Sequence, residues 1–149
     1  MKKERGDIII KTGSSLILPI LLVLGSYIIL HGHLSPGGGF QGGVLLAGGV
    51  AVYYFICREG SIFRDKGVAN KFKWLENLSA VAYLAFGIIG IVLGGAFFQN
   101  IVGQGELGAL FSSGTIFLMN FSVGAKVLFG VGFLVLILLS TLREEREEG

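Results

Sequence analysis

The sequence predicts an all-α integral membrane protein of four transmembrane helices, rich in glycine, with both termini cytoplasmic. Three observations carry this prediction. Charge is almost absent from three long stretches: Thr12 to Cys57 and Asn77 to Gly105 contain no Asp, Glu, Lys or Arg, and Leu107 to Leu142 contains only Lys126. Charge-free apolar runs of about 18 residues or more read as membrane spans. Of the 149 residues, 15% are charged and 52% hydrophobic, whereas soluble domains carry roughly 25% charged residues. Finally, the basic residues are segregated. Lys2, Lys3, Arg5 and Lys11 precede the first span, Arg58, Arg64, Lys66, Lys71 and Lys73 lie between the second and third, and Arg143 and Arg146 follow the fourth. Loops rich in Lys and Arg stay on the cytoplasmic side, and only Lys126 of the 12 basic residues stands outside those three groups.

A span needs about 20 residues at a rise of 1.5 Å. One membrane domain, residues 1–149, accommodates four, at about 12–32, 36–57, 75–98 and 120–142. The leader "MKKERGDIIIK" resembles the basic start of a signal peptide, but no small-residue cleavage site follows a short apolar core, so the first span is expected to be retained. Pro19 should kink that span near Ser15. Between the third and fourth spans, residues 99–119 form a Gly-rich outer segment of interfacial or re-entrant character. Trp74 and the Tyr53–Tyr54 pair read as interfacial anchors, and the tail "REEREEG" as a solvated helix end. The single Cys57 excludes an intramolecular disulfide and a cysteine metal site; it reads as a small apolar residue. A net charge of +2 gives no reason to expect nucleic acid.

The stretch "HGHLSPGGGFQGG", His31 to Gly43, opens the second span. Gly37, Gly39 and Gly42 spell G-x-G-x-x-G, but a dinucleotide site needs these glycines between a strand and a helix. Here a membrane helix precedes them, and Glu59, at the spacing of a ribose-binding acid, falls on the opposite side of the bilayer. No Lys-Ser/Thr follows, so the phosphate-loop reading fails as well. The stretch instead reads as a helix start, with Ser35 at the N-cap and Pro36 in the first turn. Gly38, Gly42, Leu45 and Gly49 then form one stripe, with Gly39, Gly43 and Ala47 beside it. Small residues four apart let membrane helices approach closely. Gly87, Gly90 and Gly94 repeat the device in the third span, and Gly124, Gly130 and Gly132 in the fourth. The chain has 25 glycines, about twice the usual share, and a helix smooth on several sides points to partners from other chains.

The motif "HGHLSPGGGFQGGVLLAGG" resembles the signature of the MnhB/MrpB family, small subunits of the multisubunit Mrp-type Na+/H+ antiporters. The likeness extends over all four spans, including "FLMNFSVGAKVLFG". The resemblance implies a small subunit of a prokaryotic plasma membrane, not an enzyme, packed among other membrane subunits and serving Na+ or H+ movement without a cofactor of its own. Pro36, Gly37, Gly38, Gly39, Phe40, Gly42 and Gly43 would be its helix-packing motif. The same module recurs in archaeal membrane-bound hydrogenase-type complexes, so a subunit of a redox-driven pump and a purely structural subunit are the alternatives.

Four residues could carry ion chemistry. Lys126 is the only basic residue within a span, and an intramembrane ionisable group is a functional hypothesis by default. Counted back from Arg143 at 1.5 Å per residue it lies near the outer edge of a core about 30 Å thick, where it would either snorkel to water or serve an ion path or ion pair. His31 and His33 flank the outer loop as solvated caps or proton-exchanging groups. Glu106 is a loop carboxylate, an ion-entry group or a partner for Lys126. No metal-ligand spacing or catalytic triad is present.

Overall fold

The computed structural model describes residues 2–34, 37–56, 66–103, 105 and 113–148, with side chains except at 2–7, 55, 66 and 143–148. Among these residues there are four α-helices and no strand: α1 Lys2–Leu30, α2 Gly38–Ile56, α3 Lys66–Gly94 and α4 Thr115–Glu148. By length and composition, Ile8–Leu30, Gly67–Gly94 and Thr115–Leu142 are each able to cross a membrane. The shorter α2 has 19 residues, about 28 Å at 1.5 Å each. The helices overrun the apolar spans because their ladders continue into polar sequence: α3 starts at Lys66, and α4 runs through the charged tail to Glu148. Pro19 lies inside α1 without ending it.

In space the helices stand in the order α1, α2, α4, α3. The α2 helix packs between α1 and α4, α3 packs on the far side of α4, and α1 touches α4 lightly. Such a row buries little: Ile29, Ala47, Phe117 and Leu136 are its buried apolar side chains, while Ile9, Val23, Val81, Val92 and Leu134 are exposed. Lipid, as apolar as these side chains, provides no drive to hide them. What fixes the row is close packing of small residues and a few hydrogen bonds between helices. Tyr54 on α2, for instance, donates to the Leu139 carbonyl of α4 at 3.3 Å.

After α3 the chain folds back on its own helix. Gly95 takes φ +88° and bonds to the Ile91 carbonyl at 3.0 Å, the left-handed helix ending that glycine favours. Residues 96–99 then run back over the glycines of α3. A Cβ on Gly90 would stand 2.8 Å from the Gln99 nitrogen, one on Gly87 would meet the Phe97 and Phe98 rings, and one on Gly94 the Gln99 side chain. The Gly87, Gly90, Gly94 stripe thus accepts the chain's own return segment, not a neighbouring helix. Phe98 packs at a tilt against Tyr83, centroids 5.1 Å apart, and adopts φ +61°, a conformation that costs of order 1–3 kcal/mol and persists only where surrounding contacts enforce it.

Non-helical backbone close to a bilayer core must find partners within the protein. Phe98 N–H reaches the Gly87 carbonyl at 3.4 Å and Gln99 N–H that of Ala96 at 3.2 Å. Ile101 and Val102 both donate to Thr115 Oγ1, at 3.0 and 3.4 Å. In return Asn100 Oδ1 accepts the Thr115 N–H at 2.9 Å, capping α4. Residues 100–102 therefore help to set where α4 begins.

Candidate functional site

The glycine motif opens α2 differently from the expectation. Its helix begins at Gly38, and the Gly37 carbonyl accepts the first helical bond, from Gln41 N–H at 3.0 Å. Gly37 has φ +77°, a conformation open to glycine and costly for most other residues, so the cap position falls to Gly37. Ser35 and Pro36 lie outside the described residues.

Two glycine stripes then face two helices of the same chain. Toward α1, a Cβ on Gly42 would stand 2.7 Å from the Gly25 carbonyl oxygen, and Gly49 faces Leu18, Leu21 and Leu22. Toward α4, a Cβ on Gly39 would come within 2.5 Å of the Asn120 carbonyl oxygen, and one on Gly43 within 2.6 Å of the Gly124 carbonyl oxygen. Gly38 is buried with them. The smoothness of α2 on several sides is therefore used inside the chain itself. Phe40 points away from both stripes and is exposed.

Asn120, which the sequence reading passes over as a span boundary, ties this corner together. Its Nδ2 donates to the Ile29 carbonyl at 2.9 Å, and its Oδ1 accepts the Gly39 N–H at 2.8 Å. The first group belongs to the last turn of α1 and the second to the first turn of α2, both of which lack intrahelical partners. One amide thus caps two helices and anchors their connection to α4. Gly32 also packs against that amide. His31 finishes α1: its ring stacks on Tyr27, centroids 4.3 Å apart, and Nδ1 lies 3.2 Å from the Tyr27 carbonyl. His33 meets Phe117 edge-on at 6.2 Å. Glu106 lies outside the described residues.

Lys126 stands six residues beyond Asn120 on α4, on the side that faces α3. Its Nζ lies 3.3 Å from Glu76 Oε1 of α3, an ion pair between side chains 49% and 30% exposed. Backbone geometry makes room for it. Gly130, one turn further along α4, leaves space for the Glu76 carboxylate, which sits 3.3 Å from where a Cβ would be. The helices also lock edge to face through Phe72 and Phe129, 5.7 Å apart, and Lys73 Nζ stands 5.1 Å over the Phe133 ring. Lys73 and Trp74 mark the basic end of α3, so the pair lies about one turn inside that end. A charged side chain at the bilayer centre costs about 2.5–3.5 kcal/mol on insertion scales, and mutual neutralisation reduces that cost. Among the described residues Glu76 is the acid that meets Lys126.

Across the α3–α4 seam a crevice of about 230 Å³ opens between Ser79, Ala82 and Phe86 on one side and Leu118, Phe121 and Ser122 on the other. Both serine hydroxyls donate back into their own helices, Ser79 to the Leu75 carbonyl and Ser122 to that of Leu118, which leaves an essentially apolar lining. No cluster of three His, Cys, Asp or Glu side chains exists among the described residues.

The amino-acid sequence of this glycine-knit row is similar to known proteins. An uncharacterized protein of Methanocaldococcus jannaschii is 34% identical over 119 residues, 75% of this chain and 44% of that protein. A putative antiporter subunit, mnhB2, of Staphylococcus saprophyticus is 41% identical over 44 residues, 30% of this chain and 31% of the relative, and the same subunit of Staphylococcus aureus is 39% identical over 44 residues. The matched segments span less than half the length of these curated relatives. Residues 9–140, nearly the whole apolar row, match the domain described as related to the MnhB subunit of Na+/H+ antiporters, and this multi-pass membrane protein belongs to that family.

Proposed function

We propose that the chain is a membrane subunit of an Mrp-type Na+/H+ antiporter, acting in transport and not as an enzyme. In this reading all four helices, α2 included, cross the bilayer with both termini cytoplasmic, and other membrane subunits surround the row. The observation behind it is the Glu76–Lys126 pair that joins two helices long and apolar enough to cross a membrane, in a chain of this family. Intramembrane ionisable residues mark ion pathways and proton relays. At rest each charge neutralises the other. A proton or Na+ arriving at Glu76 takes the place of the ammonium as counter-charge, which frees Lys126 to turn to another acceptor. Departure of the ion restores the pair. The corner built on Asn120 and the two glycine stripes hold α4 in place while this exchange occurs.

Exchange in everted vesicles tests the proposal: Na+ added to complex-containing vesicles should collapse a preformed pH gradient, and the complex lacking this subunit should not respond. Purification together with a metal- or flavin-bearing soluble arm, and no Na+-driven exchange, would defeat the antiporter reading.

A further inference from the structure

The Glu76–Lys126 pair is open to its surroundings on a helix face where hydrocarbon would be. At 1.5 Å per residue Lys126 lies about 16 Å from the Thr115 end and about 24 Å from the Leu142 end of the apolar part of α4, well inside that span, while Glu76 borders the charge-free run of α3. Lys126 nevertheless keeps half of its side chain exposed, and one oxygen at 3.3 Å meets only one of its three N–H donors. An ammonium accepts no substitute for hydrogen bonds in lipid. Its pairing with Glu76, which sits over Gly130 one turn toward the C-terminal end of α4, also draws it away from the N-terminal direction in which helical side chains lean. Simple snorkelling toward the Thr115 end does not describe this geometry.

We infer that this face of α3 and α4 is covered in the assembled complex by a transmembrane helix of another subunit, which places a carboxylate against Lys126. Charge complementarity selects that occupant. Lys126 is the more exposed member of the pair, 49% against 30% for Glu76, so the face presents its positive member. A second copy of this chain, docked symmetrically, would present the same patch and the same sign. Lipid acyl chains offer no acceptor at all. The neighbouring surface is suited to a helix: Leu84, two turns beyond Glu76, and Leu134, two turns beyond Lys126, are exposed apolar residues on the same stripes.

A photo-crosslinking amino acid placed at Leu84 and, separately, at Leu134 tests the inference in the complete complex in its native membrane. Both positions are exposed in the chain itself, so neither replacement disturbs packing among its own four helices. The expected result is an adduct from each position with one transmembrane segment of a different subunit, and mass spectrometry should find Asp or Glu on that segment between the two crosslinked sites, about two helical turns from each. Adducts with lipid alone, with a second copy of this chain, or with a segment lacking a carboxylate would overturn it. The experiment reads contact, so its result stands apart from whether the pair takes part in ion exchange.

Discussion

Substituting Gly43 and Gly48 by alanine, five residues apart on α2, should have opposite consequences. A Cβ on Gly43 would stand 2.6 Å from the Gly124 carbonyl oxygen and 2.8 Å from Val127 Cβ, whereas one on Gly48 meets nothing within 4 Å. A backbone oxygen cannot swing aside as a flexible side chain can. To restore ordinary contact at 3.4 Å, α2 and α4 must part locally by about 0.8 Å, which also stretches the Asn120 bond to Gly39. Overpacking of this kind costs about 1–3 kcal/mol. Both substitutions gain up to about 1 kcal/mol of helix propensity, and that gain cancels when the two variants are compared. Gly43→Ala should therefore be less stable than Gly48→Ala by about 1–3 kcal/mol, the overpacking term alone, with Gly48→Ala equal to or above the wild type. Titration of the purified chain from mild into denaturing detergent, read on the fluorescence of its single tryptophan, Trp74, measures the difference. Equal stability of the two variants would refute the assignment of Gly43 to a close α2–α4 crossing.

Asn120→Leu should destabilise the same titration by about 1–3 kcal/mol, two hydrogen bonds at about 0.5–1.5 each, and raise the labelling of a cysteine placed at Leu34; wild-type values for both would show that the amide does not hold the α1–α2 corner. In Gly90→Ala the new Cβ would collide with the Gln99 nitrogen and the Ala96 oxygen at 2.8 and 2.9 Å, so amides 98–102 should exchange hydrogen at least tenfold faster, and unchanged protection would mean the return segment does not rest on α3. Cysteines at Ser35 and Ser61 should label from opposite sides of the membrane, Ser35 from outside; labelling from one side would end the four-span topology.

The membrane class was legible because it depends on where charge is missing, and long charge-free runs admit few alternatives. The glycine spacing likewise announced close approach, but it carries no information about what approaches. Gly42 and Gly43 meet α1 and α4 of the same chain, and Gly87 and Gly90 meet a return segment, where the spacing alone pointed to helices of other chains. Glu76 escaped notice since it stands at the polar border of the third span, one residue before the charge-free run begins at Asn77. Its partner is 50 residues away, a separation that no local pattern encodes. Asn120 was overlooked for a related reason: a search for charges passes over an uncharged amide, although in lipid an amide's unmet hydrogen bonds also demand partners.

Whether Glu76 and Lys126 work as one unit in ion movement is decided by a double-mutant cycle on exchange rate. Glu76→Gln, Lys126→Met and the double variant would be compared with the wild type in assembled complexes, quantified by co-purification, at matched amounts in vesicles. If the pair acts as a unit, each single change lowers Na+-driven proton exchange at least tenfold, about 1.4 kcal/mol in the barrier, and the double variant is no slower than the worse single one. Groups acting together are strongly non-additive in this way. Wild-type exchange in Lys126→Met, or single losses that multiply in the double variant, would instead make the pair a fixture of packing between α3 and α4, with no part in moving ions.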